Sequence, residues 1–194
     1  MYKENFAIDL DFLKMKSPPL IGIDISSSSV KIVELSKVGR GNQGYRIERY
    51  VIESIPYDAM QDGAIVNLQA VGESIHRGWK RMGTRRKNVA LALPATDVIT
   101  KRIIVPAGQH EDDMAFQVEN EASQYIPFPL DEVDLDFQVV KTLPDSPEEV
   151  EVLIAVSRKE KVEDRVAVAL TAGLKAIVVD VEPYAAQAAF EMTL

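Results

Sequence analysis

From Leu20 onward, apolar and polar positions alternate. Ile21, Ile23 and Ile25 are separated by Gly22 and Asp24, the period of a strand with one buried face. The segment VKIVEL, residues 30–35, has the same character, and residues 45–55 form a third such stretch. Two polar runs of turn length lie between them, Ser26-Ser27-Ser28-Ser29 and residues 39–44, so the pattern predicts a strand meander. The period then lengthens. Leu68, Val71, Ile75, Trp79 and Met82 recur at spacings of three and four, which predicts a helix over 67–82. Asn67 fits its N-cap and Gly83 the residue just past its end. Strand patterns return at 88–93, closed by Pro94, and at 98–105, closed by Pro106.

Next, Met114, Val118, Ala122 and Tyr125 predict a helix over 111–125, with Glu111, Asp112 and Asp113 in its favoured first turn. Pro127 and Pro129 stop it. Val133, Leu135, Phe137 and Val139 alternate with Asp134, Asp136 and Gln138, a half-buried antiparallel strand. Its partner carries Val150, Val152, Ile154 and Val156. Ser157 and Glu160 have the spacing of a capping box for a helix through Leu170, with Gly173 beyond it. Residues 96–173 thus read strand, helix, strand, strand, helix, a small α+β unit. A last strand, 176–181, is apolar on both faces, and Pro183 opens a helix to Leu194. That helix carries no stop signal, so the chain is expected to be the first part of something longer.

Residues 1–19 form a leader. Phe6, Leu10 and Leu13 make one stripe of a short helix ended by Pro18 and Pro19. It reads either as a loosely held tail or as a helix that docks on a membrane surface or a partner. A length of 194 residues suffices for a core without staples. No run of residues approaches a membrane span, and Glu4, Asp9 and Asp11 interrupt any signal-peptide core. The absence of cysteine removes disulfides, zinc–thiolate and iron–sulfur sites and cysteine nucleophiles. Two histidines, His76 and His110, do not make a histidine-rich metal site. A formal charge of −8 argues against a nonspecific nucleic-acid binder. A cytoplasmic location is the expectation.

The run from Gly22 to Lys31 is the best candidate for chemistry. Backbone amides of a tight turn at Ser26, Ser27, Ser28 and Ser29 make an anion-binding nest, and the hydroxyls add donors. Lys31 would return a cation to the same phosphate, and Asp24 would hold Mg²⁺ directly or through its waters. The alternative is an ordinary hairpin turn. Asp134 and Asp136, on one face of a strand, read either as an acid–base pair or as a solvated face. Metalloprotease, serine-hydrolase and P-loop signatures do not occur. The basic run Lys80-Arg81 and Arg85-Arg86-Lys87 reads as a solvated helix C-terminus, and His76 and Trp79 read as packing residues.

Several segments in order, GIDISSSSVKIVEL, VALALP, ITKRIIVP, QVENEASQYIPFPLDEVDLDFQVV, EVLIAVSRKEKVEDR and VVDVEPYAAQAAF, closely resemble the PilM family of type IV pilus assembly proteins. Residues 121–136 are the most specific part. PilM resembles the cell-division protein FtsA and falls in the actin-like ATPase superfamily. The resemblance implies an α/β fold: the first lobe of an actin-like structure, residues 20–95 and 174–194, with an FtsA-like α+β insertion at 96–173. It implies ATP and Mg²⁺ as cofactors, with the phosphate-1 loop at Asp24, Ser26, Ser27, Ser28, Ser29 and Lys31. Ser26 departs from the glycine usual in the wider superfamily. The second phosphate loop and the adenosine-binding glycines belong to a second lobe, so half a nucleotide site and no turnover are expected.

As partner, the resemblance implies the cytoplasmic N-terminal segment of the membrane protein PilN, bound in a groove between the first lobe and its insertion. Other pilus proteins of the inner-membrane complex are further partners, and the location implied is the cytoplasmic face of the inner membrane. An FtsA-like division adaptor and an actin-like ATPase or phosphotransferase are the alternatives. Loss of a second lobe would uncover apolar surface, so self-association is also expected.

Overall fold

The structure is a computed structural model that describes residues 20–38 and 44–192. The leader expected at 1–19, most of the turn at 39–44 and residues 193–194, which the sequence assigns to the last helix, lie outside these residues. In chain order the elements are β1 (Ile21–Ile25), β2 (Ser29–Lys37), β3 (Tyr45–Ser54), a short hairpin of β4 (Met60–Gln61) and β5 (Ala64–Ile65), and α1 (Leu68–Met82). Then come β6 (Asn88–Leu93), β7 (Val98–Pro106), α2 (Glu111–Ala122), β8 (Val133–Leu143), β9 (Ser146–Arg158), α3 (Lys159–Thr171), β10 (Lys175–Val181) and α4 (Glu182–Glu191).

The expected meander forms the middle and one edge of a five-stranded sheet, in the order β10-β6-β1-β2-β3. β1, β2 and β3 pair antiparallel, while β6 runs parallel to β1 and β10 parallel to β6. Alternation decides the faces. Ile21, Ile23, Ile25, Val30, Ile32, Val89, Leu91 and Leu93 join one buried core with Val71 and Ile75 of α1. Each such side chain contributes roughly 1.5–3 kcal/mol of burial. Asn67 caps α1 as expected, its Oδ1 accepting from the Ala70 N–H at 3.0 Å, and Gly83 closes the helix at φ 70°. The mixed α/β class is the one the sequence led us to expect.

The inserted strands form a separate antiparallel sheet in the order β7-β9-β8. One face packs on α2, where Ile103, Val105, Val152 and Ile154 meet Val118 and Ala122. On the other face, Ala155 meets Val181 and Tyr184 of the main unit.

Several local expectations are revised. Residue Ser157 forms no capping box. β9 continues through it, opposing it to both Val98 and Asp134, and its hydroxyl donates to the Asp97 carbonyl at 2.9 Å. The N-cap of α3 is Arg158, without a side-chain bond. Helix α2 ends at Ala122, and Tyr125 sits under the Lys101 ammonium, 3.4 Å from its ring centre. Helix α3, which the sequence grouped with the 96–173 unit, buries Val162, Val168 and Ala169 in the main core. Gly72 lets it approach α1: a Cβ there would lie 2.5 Å from Thr171 Cγ2. Pro183 falls one residue inside α4.

Candidate functional site

Asp24 and Lys31 are opposite each other across the β1–β2 hairpin, which is why Lys31 falls seven positions after Asp24 in sequence. The Lys31 ammonium donates to Asp24 Oδ2 at 2.6 Å. Both side chains are about half exposed, at 51% and 45%, so the pair adds at most about 1 kcal/mol of stability. Its interest is therefore chemical. The turn between them is closed by Ser26, whose N–H and hydroxyl both donate to the Ser29 carbonyl, at 3.0 and 2.9 Å. Those donors are committed to the hairpin. Ser26 keeps a negative φ, so its departure from glycine introduces no strain. Ser29 is the first residue of β2, opposite Ser54. Ser27 and Ser28 are exposed at the tip, and the Ser28 carbonyl accepts from Ile55 N–H at 3.0 Å.

Three residues that sequence reasoning did not single out converge on this end of the sheet. Arg165, on α3, is 3% exposed, and its Nη1 donates to the Ile25 carbonyl at 3.5 Å. Burial lowers its pKa, and Glu182, Asp97 and Asp24 oppose that shift; a guanidinium stays charged regardless. Glu182 opens α4. Burial first, and then the Asp24 charge, push its carboxyl above the ordinary range, against the pull of Arg165 and Lys31. Asp24, Asp97 and Glu182 thus surround two cations, Arg165 and Lys31. One signal was legible: Arg165 lies on the buried stripe of α3 between Val162 and Val168. Asp97 and Glu182 come from distant segments and carried none.

The donor set fits a metal–phosphate group in part. Mg²⁺ keeps waters and usually takes one or two protein carboxylates plus phosphate oxygens. Asp24 supplies such a carboxylate at an acidic end, and Lys31 with the tip serines supplies anion-binding groups. No group of three His, Cys, Asp or Glu that could hold a metal occurs among the described residues, so no all-protein cage is present there. Asp134 and Asp136 stand on the inserted sheet, opposite Ser157 and Ala155 of β9, rather than on the Asp24 hairpin. Asp134 is raised by burial, with Lys159 opposing, and Asp136 Oδ1 accepts from the Phe137 N–H at 2.8 Å.

The same end opens into a cleft of about 1380 Å³ between the two sheets and α4. One wall is the face of the main sheet opposite α1, with Val33, Leu35, Tyr50 and Ile52; Leu153 and Val140 stand on the inserted sheet. Tyr50 is 73% exposed and Ile52 56%, so the wall is apolar and open. Gln138, Thr100 and Arg102 supply polar groups, and Asp24, Lys31 and Glu182 lie along the cleft as well. Residues of all four edge strands of the two sheets, β3, β10, β7 and β8, line it.

Comparison with known proteins agrees with this architecture. The chain matches a chain of a solved structure described as a PilM-PilN type IV pilus biogenesis complex, at 31% sequence identity and a TM-score of 0.76. The match covers 87% of this chain and 48% of that one, so the present chain spans about half its length. The profile of the family described as type IV pilus assembly protein PilM matches residues 22–194. That match extends over both sheets, the cleft and the Asp24–Lys31 hairpin, and the chain belongs to the PilM family of type IV pilus assembly proteins.

Proposed function

We propose that this chain is the partner-binding half of a PilM-type adaptor. It would take the cytoplasmic N-terminal segment of a PilN-type membrane protein into the cleft between the main and inserted sheets. The observation that carries this reading is the cleft itself: an open apolar wall at Leu35, Tyr50 and Ile52 faced by a second sheet, with free-edged strands on both sides. An extended peptide can bond its backbone to such an edge while alternate side chains enter apolar pockets. The likeness to a chain of a PilM-PilN complex supports the choice of occupant. The adaptor would thereby reach the cytoplasmic face of the inner membrane as part of pilus assembly.

ATP with Mg²⁺ is proposed for the longer family protein. Asp24 would hold the metal through its carboxylate or bound water, and Lys31, Ser27 and Ser28 would face the phosphates. Ser26 and Ser29 would shape the turn. Bound Mg²⁺ would neutralise phosphate charge at this acidic end. This chain is not proposed to turn over nucleotide, and calorimetry showing micromolar Mg-ATP affinity for it would contradict the half-site reading. The partner reading is tested by titrating a PilN-type N-terminal peptide against this chain. Saturation below about 100 μM is expected, and no binding at that concentration overturns the claim that this half suffices.

A further inference from the structure

The end of the main sheet away from the Asp24 hairpin is basic, although the chain as a whole is acidic. Strand register places the residues. Lys37 opposes Tyr45 and Ser36 opposes Arg46 at the β2–β3 end. Lys175 opposes Asn88 at the start of β10 and β6, and its N–H donates to the Lys87 carbonyl at 2.8 Å. Lys80 and Arg81 end α1, and Arg85, Arg86 and Lys87 continue from it to β6. The carboxylates here are outnumbered. Glu34 is shared by Arg49 and Arg86, at 3.1 and 3.2 Å, and Glu48 is held by Arg46 and Ser36. Lys37, Lys80, Arg85, Lys87 and Lys175 are exposed and make no ion pair among the described residues. Lys87 lies over the Trp79 ring.

Apolar side chains stand among these cations. Leu170, in the last turn of α3, is 73% exposed, and Val38 and Tyr45 are exposed beside Lys37.

We propose that this basic end docks directly on an anionic lipid bilayer. Clustered Lys and Arg are attracted to the surface potential of anionic headgroups, and exposed Leu, Val and Tyr side chains enter the interface. The apolar fringe favours a bilayer over nucleic acid, because a duplex offers no apolar interior for such side chains to enter. The inference is independent of the cleft: it needs no partner peptide, and lipid vesicles contain none.

The test is flotation of the whole chain with vesicles of phosphatidylcholine alone or mixed with phosphatidylglycerol, at low and high salt. Binding is expected only with phosphatidylglycerol and is expected to be lost at high salt. The double variant Lys80→Glu/Arg85→Glu should lower partitioning by at least about 25-fold, at about fivefold per basic residue removed. A double variant with the same charge change elsewhere, Lys141→Glu/Lys161→Glu, should leave it within about twofold. Melting temperatures establish that both variants fold. Equal binding to both vesicle types, equal loss in both variants, or tighter binding to a DNA duplex than to vesicles would overturn the proposal.

Discussion

The close approach of α1 and α3 gives the sharpest stability test of the fold. In Gly72→Ala, the new methyl would lie 2.5 Å from Thr171 Cγ2, 2.6 Å from its Cβ and 3.2 Å from the Val168 carbonyl oxygen. Cβ is fixed by the helix backbone, so Thr171 cannot rotate out of the way and the helices must separate. Overpacking of this kind belongs at the upper end of its range, about 3 kcal/mol. Alanine returns about 1 kcal/mol through helix propensity. The net loss is about 2 kcal/mol, which for a domain of this size lowers Tm by about 4–8 °C. Thermal unfolding followed by circular dichroism measures it. In a Thr171→Gly background both close atoms are gone, and Gly72→Ala should then raise Tm. A rise in the wild-type background would refute the packing of α3 against α1, and with it the place of α3 in the main core.

Three further outcomes are expected. Asn67→Ala removes the bond to the Ala70 N–H and should cost about 1 kcal/mol, read as a fall of roughly 2–4 °C in Tm; no change would mean the cap is not formed. Glu182 has a folded pKa above its unfolded value, so its ionisation weakens the fold. Its contribution is fully present below the ordinary carboxylate range and is lost as pH rises through the raised value. Glu182→Gln should therefore flatten the decline of Tm over that window, and an unaltered slope counts against the buried acidic end. Asp24→Ala breaks only a half-exposed ion pair, so Tm should shift little. In the longer family protein it should weaken Mg-nucleotide binding but not peptide binding, which calorimetry separates.

What was legible in the sequence was local periodicity. Ile21, Ile23 and Ile25 announced their face because β1 has one core side, and a four-serine turn fixed the register that places Asp24 against Lys31. Asn67 and Gly83 marked α1 through backbone chemistry that needs no tertiary partner. What failed was decided by distant segments. The stripe Val162, Val168 and Ala169 shows that α3 is buried but not against what; Gly72 on α1 settles that. Ser157 looked like a cap because its spacing to Glu160 is local, whereas strands on both sides hold it in the sheet. The β4–β5 hairpin carries an Asp62-Gly63 turn, both residues at positive φ, between strands too short to show a period. At the candidate site, Asp97, Arg165 and Glu182 meet only because β6 and β10 end beside the middle of α3.

On the proposed function, a partner peptide would lie along the open wall of the cleft. The most direct test is a matched set of peptide titrations against the wild-type chain, Ile52→Asp and Phe116→Asp. Ile52 is exposed on the cleft wall, and Phe116 is comparably exposed on α2, which covers the other face of the inserted sheet. Burying a carboxylate against the peptide should weaken affinity at least tenfold for Ile52→Asp. Phe116→Asp should bind as the wild type does. Equal affinity in Ile52→Asp and wild type, or a loss confined to Phe116→Asp, would contradict the cleft as the binding site.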